Sequence, residues 1–233
     1  MQILPASSEQ KLALLKSNPY FSTLSPNLLE KLASGTSLRR YEAGEVICWQ
    51  DESCAGLFIM QKGSAKLFKL SGKGRELIIR VVEEGTTFNE VPVFDQGTNV
   101  VNVAALDECR IWIIEQAVIR QLLKDIPEVS EAVILNLTQN LRMLVSMIEE
   151  LSFYQVTSRL ARLISQLSPE QLEGLPAQRL TQDQLAARLG TVREVVARSL
   201  RDLERSGAIR MERRQIQIVN RNLLHDWAQG PIT

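Results

Sequence analysis

The most specific chemistry in this sequence is carried by Arg193, Glu194 and, one helical turn on, Arg198. A guanidinium can donate two parallel hydrogen bonds to guanine O6 and N7, and a carboxylate can accept from cytosine N4. On one face of a helix, such a set can read base edges in a DNA groove. The alternative for a charged helix face is simple solvation, with the arginines paired to Glu194, Asp202 and Glu204. The ordered run Gly190-Thr-Val-Arg193-Glu194-Val-Val-Ala-Arg198 favours base reading.

The surrounding residues supply a frame. Thr181 is suited to cap a helix, with Gln184 as its capping-box partner. Leu185, Ala186 and Leu189 make one apolar face, and Gly190 ends the helix because glycine takes the left-handed conformation without steric cost. A second helix is predicted from about Val192, with Val195, Val196, Leu200 and Leu203 inward and Arg193, Glu194, Arg198, Arg201 and Arg205 outward. Beyond it, Ala208–Met211 and Gln215–Val219 read as a hairpin with Arg213 and Arg214 at its tip. Either arginine could hold phosphate or simply solvate a turn. Residues 155–233 hold 12 Arg and no Lys against 8 Asp and Glu, while the rest holds 15 basic and 19 acidic residues. A basic carboxyl-terminal part beside an acidic amino-terminal part suits nucleic-acid binding by one domain only.

This segment resembles the helix-turn-helix of the Crp/Fnr family of bacterial transcription regulators. The resemblance implies that Arg193 and Arg198 read guanines and Glu194 a cytosine in a TGTGA-type half-site, with a second copy of the chain on the other half of a palindrome. Where the cyclic-AMP-receptor branch has a serine before the Arg-Glu pair, this chain has Val192, so Thr181, Gln182 and Arg201 are the expected phosphate contacts, with Arg213 and Arg214. RNA polymerase is the further partner the resemblance implies, for a regulator that activates transcription.

Upstream, residues 8–34 read as helical, with Ser25-Pro26 as a helix start. From about Ser37 to Ile114, short apolar runs alternate with glycine turns: 46–49, 57–60, 65–70, 77–82, 100–106 and 109–114. This pattern predicts an antiparallel barrel or sandwich. The phrases Tyr41-Glu-Ala-Gly44-Glu-Val-Ile47 and Lys62-Gly63-Ser-Ala-Lys-Leu67 resemble the turns of the cyclic-nucleotide-binding β-roll. The expected class is therefore α+β: an amino-terminal β-roll, a long dimerisation helix and a carboxyl-terminal winged helix-turn-helix.

In relatives that bind cyclic AMP, a cassette glutamate holds the ribose and an Arg-Ser pair holds the phosphate. Here Glu90 remains, Asn89 replaces a glycine, and Val100 and Val101 stand where Arg and Ser would. A phosphate buried without a cation costs several kcal/mol, which argues against cyclic AMP. Glu90 serves equally well as a cap on turn amides. The expected effector residues are Phe88, Asn89, Glu90, Val100, Val101, Asn140, Leu144 and Val145. The ligand is an unassigned small molecule, and a hydrophobic compound, haem held through cysteine, or no ligand at all stay open.

A short helix is predicted at 115–125, and Pro127 opens a long one. Ile134, Leu137, Leu141, Leu144, Ile148 and Leu151 recur with alternating spacings of three and four, a heptad seam expected to form a homodimer interface. Phe153 falls at the expected hinge, and Thr157 is the expected cap of the next helix, Arg159–Leu167, in place of Gln155. Residues 168–178 read as a loop. The expected domains are 1–126 (sensor), 127–154 (dimerisation helix and hinge) and 155–233 (DNA binding).

No nucleophile–base pair, metal-ligand cluster or phosphate loop is visible, so an enzyme is not expected. A ligand-binding module without DNA output is the other class, and Val100-Val101 counts against a cyclic-nucleotide version. Cys48, Cys54 and Cys109 form no CxxC motif, and the single histidine, His225, reads as a capping or surface residue. No apolar run is long enough to span a bilayer and no secretory leader is recognisable, so a cytoplasmic chain without a membrane partner is expected.

Overall fold

The structure is a computed structural model that describes residues 1–174, 180–212 and 215–230. The chain forms two compact bodies, Met1–Lys69 with Ile79–Asn140, and Leu70–Ile78 with Leu141–Thr233.

The first body is a roll of two antiparallel sheets. One is ordered β1-β2-β9-β4-β7 and the other β3-β8-β5-β6. The strands are β1 (Gln2–Leu4), β2 (Thr36–Tyr41), β3 (Val46–Cys48), β4 (Gly56–Lys62), β5 (Ala65–Leu70), β6 (Glu76–Val82), β7 (Thr87–Phe88), β8 (Asn102–Ala105) and β9 (Cys109–Glu115). Successive strand side chains point to opposite faces. On β4 and β9, Phe58, Met60, Cys109, Ile111 and Ile113 therefore fill the interior between the sheets. Leu57, Ile59, Trp112 and Ile114 point outward, where they pack with residues of the surrounding helices. Both faces of these strands are covered, so their sequences read as unbroken apolar runs. Gly56 is required by close backbone approach: a Cβ there would lie 2.1 Å from the Ile114 carbonyl oxygen, at φ +149°.

The helices of this body are α1 (Ser8–Ser17), α2 (Pro26–Ser34), α3 (Glu90–Asp95), α4 (Gln116–Asp125) and the start of α5 (Pro127–Phe153). The stretch read as helical is a pair, as the expected start at Ser25-Pro26 implies: Asn18 caps α1 and Ser25-Pro26 opens α2. Four features passed unnoticed in the sequence: β1, β2, β7 and α3. All are short or mixed in polarity, and the three strands are fixed by pairing, as Ile3 is opposite Arg39 and Thr87 opposite Ile59.

The second body holds α6 (Val156–Gln166), α7 (Pro169–Glu173), α8 (Gln182–Leu189), α9 (Arg193–Arg205), β10 (Ile209–Glu212), β11 (Gln215–Ile218) and α10 (Arg221–Gln229). Its core joins Leu160 and Ile164 of α6, Leu185 and Leu189 of α8, Val196, Leu200 and Leu203 of α9, Ile216 of β11 and Leu224 of α10. Two expectations are corrected here. Gln155, not Thr157, occupies the N-cap of α6. The Thr157 hydroxyl lies instead 2.9 Å from Ser199 Oγ, a bond across to α9. Residues 168–173 are not a loop, because Ser168 and Gln171 form a reciprocal capping box around Pro169 and nucleate α7. Residues 175–179 lie outside the described residues.

Candidate nucleic-acid interface

Helix α8 opens on Thr181, whose hydroxyl accepts from the Gln184 amide at 3.2 Å, while Gln184 Oε1 accepts from the Thr181 amide at 2.8 Å. It closes on Gly190 at φ +65°, whose N–H returns to Ala186 and Ala187 carbonyls. Arg159 of α6 donates to the Leu189 carbonyl at 2.9 Å and satisfies another open acceptor at that end. The turn Gly190-Thr-Val is thus fixed on both sides before α9 begins at Arg193, with Val192 at the N-cap.

The two faces of α9 are cleanly separated. Val196, Ser199, Leu200 and Leu203 are buried. Arg193, Glu194, Arg198, Arg201 and Arg205 are exposed. At 3.6 residues per turn these five fall within an arc of about 140°. Val195, expected on the apolar face, sits at its margin and is half-exposed. Arg193 reaches Asp183 on α8 at 3.8 Å, with both side chains mostly exposed, which makes a weak pair that leaves the guanidinium available. Thr181 is exposed and Gln182 half-exposed at the start of α8. The expected base-reading and phosphate-holding groups on α8 and α9 therefore share one body. Strands β10 and β11 pair antiparallel from Ile209 opposite Ile218 to Glu212 opposite Gln215. The tip arginines, Arg213 and Arg214, lie outside the described residues.

Helix α10 was not foreseen. Asn220 caps it through the amides of Asn222 and Leu223. Its end is held by Arg162, which donates to the Ala228 carbonyl at 2.7 Å, while Trp227 Nε1 donates to Ser206 Oγ at 3.0 Å. His225 is an exposed mid-helix residue and caps nothing. Arg162 also pairs with Glu150 at 3.0 Å and stacks on Tyr154 at 4.1 Å, so the end of α5 is tied to α6.

The geometry of a helix, a three-residue turn, a second helix and a β-hairpin is that of a winged helix-turn-helix. The cyclic nucleotide-binding domain model matches residues 38–125, and the Crp-like helix-turn-helix domain model matches residues 158–227. The transcriptional regulator SdrP of Thermus thermophilus is 30% identical over 173 residues, covering 72% of this chain and 82% of that protein. The chain belongs to the Crp/Fnr family of transcription regulators. The cyclic AMP receptor protein of the same organism is 25% identical over 216 residues, covering 93% of this chain and 99% of that one. The solved structure of a proposed Crp/Fnr-family regulator from Eubacterium rectale shares the fold, with a TM-score of 0.78 at 20% identity, over 91% of this chain and 98% of that one. As a Crp/Fnr member the chain is a DNA-binding transcription regulator rather than an enzyme.

Within this family frame, the expected effector residues have distinct surroundings. Phe88 is 1% exposed and packs edge-on to Phe58 inside the roll. Asn89 takes the left-handed conformation, φ +69°, that suits asparagine next after glycine. Its amide donates to the Gly56 carbonyl at 3.1 Å. Glu90 is buried, and Tyr20 Oη donates to its Oε1 over a long 3.5 Å. Burial pushes the Glu90 carboxyl above the usual carboxylate range, an effect its own backbone amide and Arg80 oppose. Val100 is exposed and Val101 half-buried, both ahead of β8. Asn140 is half-buried, whereas Leu144 and Val145 are exposed. Burial pushes the Cys109 thiol up to about 11 and the Cys48 thiol up to about 12.

Of the seam residues, Ile134, Leu141, Leu144, Ile148 and Leu151 are exposed, as is Phe153 at the expected hinge. Leu137 is the exception, half-buried against the roll's helical layer. Among the described residues, no helix is long and apolar enough to cross a membrane.

Proposed function

We propose that the chain acts as a homodimer that binds a near-palindromic DNA site, with Arg193, Glu194 and Arg198 of each copy reading base pairs and Thr181, Gln182, Arg201, Arg213 and Arg214 holding phosphates. Residues 1–126 serve as sensor, 127–154 as dimerisation helix and hinge about Phe153, and 155–233 as reader. The observation that carries this reading is the exposed Arg-Glu-Arg face of α9, opposite a face buried in its own body. Residues that served only to solvate a helix need no such turn to aim them; residues that enter a groove do.

The exposed seam supplies the second half of the proposal. Five large apolar side chains at heptad spacing stay 40% to 64% exposed among the described residues, and a second copy in parallel register would bury them. Two recognition helices would then meet successive major grooves about one helical turn apart. The output is transcriptional control through RNA polymerase.

The control signal is a small-molecule effector bound by the roll. Relatives include a cyclic AMP receptor protein, but exposed Val100 and half-buried Val101 give the cassette no cation for a cyclic phosphate. The cassette thus lacks the cation that would favour cyclic AMP as the effector. In vitro selection from a random duplex pool, using the full chain, tests the DNA reading. An inverted repeat rich in G·C steps at matched positions is expected, and enrichment of unrelated or unpaired sequences would reject it.

A further inference from the structure

Strand β6 carries Arg80, outside the cassette in which a ligand-binding cation was sought. Its half-buried side chain donates from Nη1 to Asn140 Oδ1 at 3.1 Å. Asn140 Nδ2 in turn donates to Asn136 Oδ1 at 3.0 Å, one turn back along α5. The charge of Arg80 also reaches Glu90 and Tyr20. All five residues belong to the first body.

A neutral amide is a poor partner for a half-buried cation. Removing the guanidinium from water costs free energy, and an anionic acceptor returns about twice what a neutral one does. Among the described residues, Arg80 forms no ion pair within hydrogen-bonding reach, although its field acts on Glu90. A guanidinium offers five donors, and the bond to Asn140 uses one. None of its nitrogens is among the buried, unpartnered polar atoms. Its remaining donors therefore reach solvent.

We propose that Arg80, flanked by Asn140 and Asn136, is the anion-holding end of the effector site, and that the effector is a small organic anion: a carboxylate or a phosphate ester. This deepens the proposed sensor role of the roll and rests on it. Glu90, within the field of Arg80, offers a carboxyl for a ligand hydroxyl. An anion engaging both ends of the guanidinium competes directly with Asn140. Occupancy is thus felt first by α5, the helix that also carries the seam.

The test is calorimetric titration of the full chain, without DNA, with inorganic phosphate and separately with acetate, each against chloride at matched ionic strength. Arginines elsewhere give a background common to all variants, so the difference between proteins is the readout. One of the two anions is expected to bind wild type, and Arg80→Gln to weaken that binding at least about tenfold, with Arg80→Lys between. Asn140→Asp keeps the arginine but installs a resident anion, and it is expected to abolish the same binding even if Arg80→Gln folds poorly. Equal binding by wild type and Asn140→Asp, or none by wild type, would overturn the proposal. Because no DNA is present, that outcome would leave the DNA-reading proposal standing.

Discussion

Ile148 gives the dimer proposal a number. It is 63% exposed in the single chain, at the centre of the carboxyl-terminal half of the seam. Full burial of an isoleucine contributes about 1.5–3 kcal/mol, so covering the exposed share contributes about 1–2 kcal/mol per chain. A two-fold interface uses the position twice. Ile148→Ala should then cost about 2–4 kcal/mol of dimerisation, an upper bound because alanine keeps its Cβ, and should raise the dimer dissociation constant by roughly thirty-fold to several hundred-fold. Alanine is the strongest helix former, so α5 itself is not weakened. Sedimentation equilibrium over a concentration series measures the shift, and circular dichroism checks that the helix content holds. An unchanged monomer–dimer equilibrium would refute the assignment of this stripe to the interface, and so would an equal loss from Glu149→Ala, on the neighbouring face.

Other expectations follow from single side chains. Arg193→Ala should weaken binding to the selected site by about 1–3 kcal/mol per half-site and relax preference at one base pair; anisotropy titrations on single-base variants read this out, and a uniform loss on every sequence contradicts it. Glu90→Gln should gain stability relative to wild type as pH rises. The folded-state pKa of Glu90 is raised by burial beside Tyr20 and Arg80, so its contribution is full at low pH and is lost as pH rises through that value. Urea unfolding at pH 4.5 and pH 8 gives the sign, and a variant that loses ground at pH 8 contradicts it. Cys109 and Cys48, with thiols pushed up to about 11 and about 12, should react slowly with a disulfide reagent at pH 8 until the chain unfolds; immediate reaction of either in the native protein is the opposing result.

The sequence made the second body readable because each of its signals is local. The Thr181–Gln184 box, Gly190 and the three- and four-residue spacings of Leu185, Leu189, Val196, Leu200 and Leu203 fix α8 and α9 with no reference to distant residues. The roll was legible as a class from its glycine-punctuated runs. Its edges were not, because β1 and β7 are strands only through what they pair with, Gln2–Leu4 against Leu38–Arg40 and Thr87 against Ile59. Helix α7 was missed because it opens on a proline and stops at a glycine only five residues on, although Ser168 and Gln171 carried the capping signal in plain view. In the sensor, the cassette positions were legible but Arg80 was not: its relation to Asn140 spans 60 residues and depends on how β6 meets α5. A search confined to the cassette could not find a cation delivered from another strand.

The claim on which the rest depends is that α9 reads guanines. Measuring affinity of wild type and Arg198→Ala for the selected site, with each guanine in turn replaced by 7-deazaguanine, tests it most directly, since the replacement removes only the N7 acceptor. Two replacements per half-site are expected to cost wild type about tenfold each, and one of the two, at the guanine facing Arg198, to cost Arg198→Ala nothing further. Replacements that leave wild type unaffected, or a set in which every one penalises both proteins equally, would contradict it.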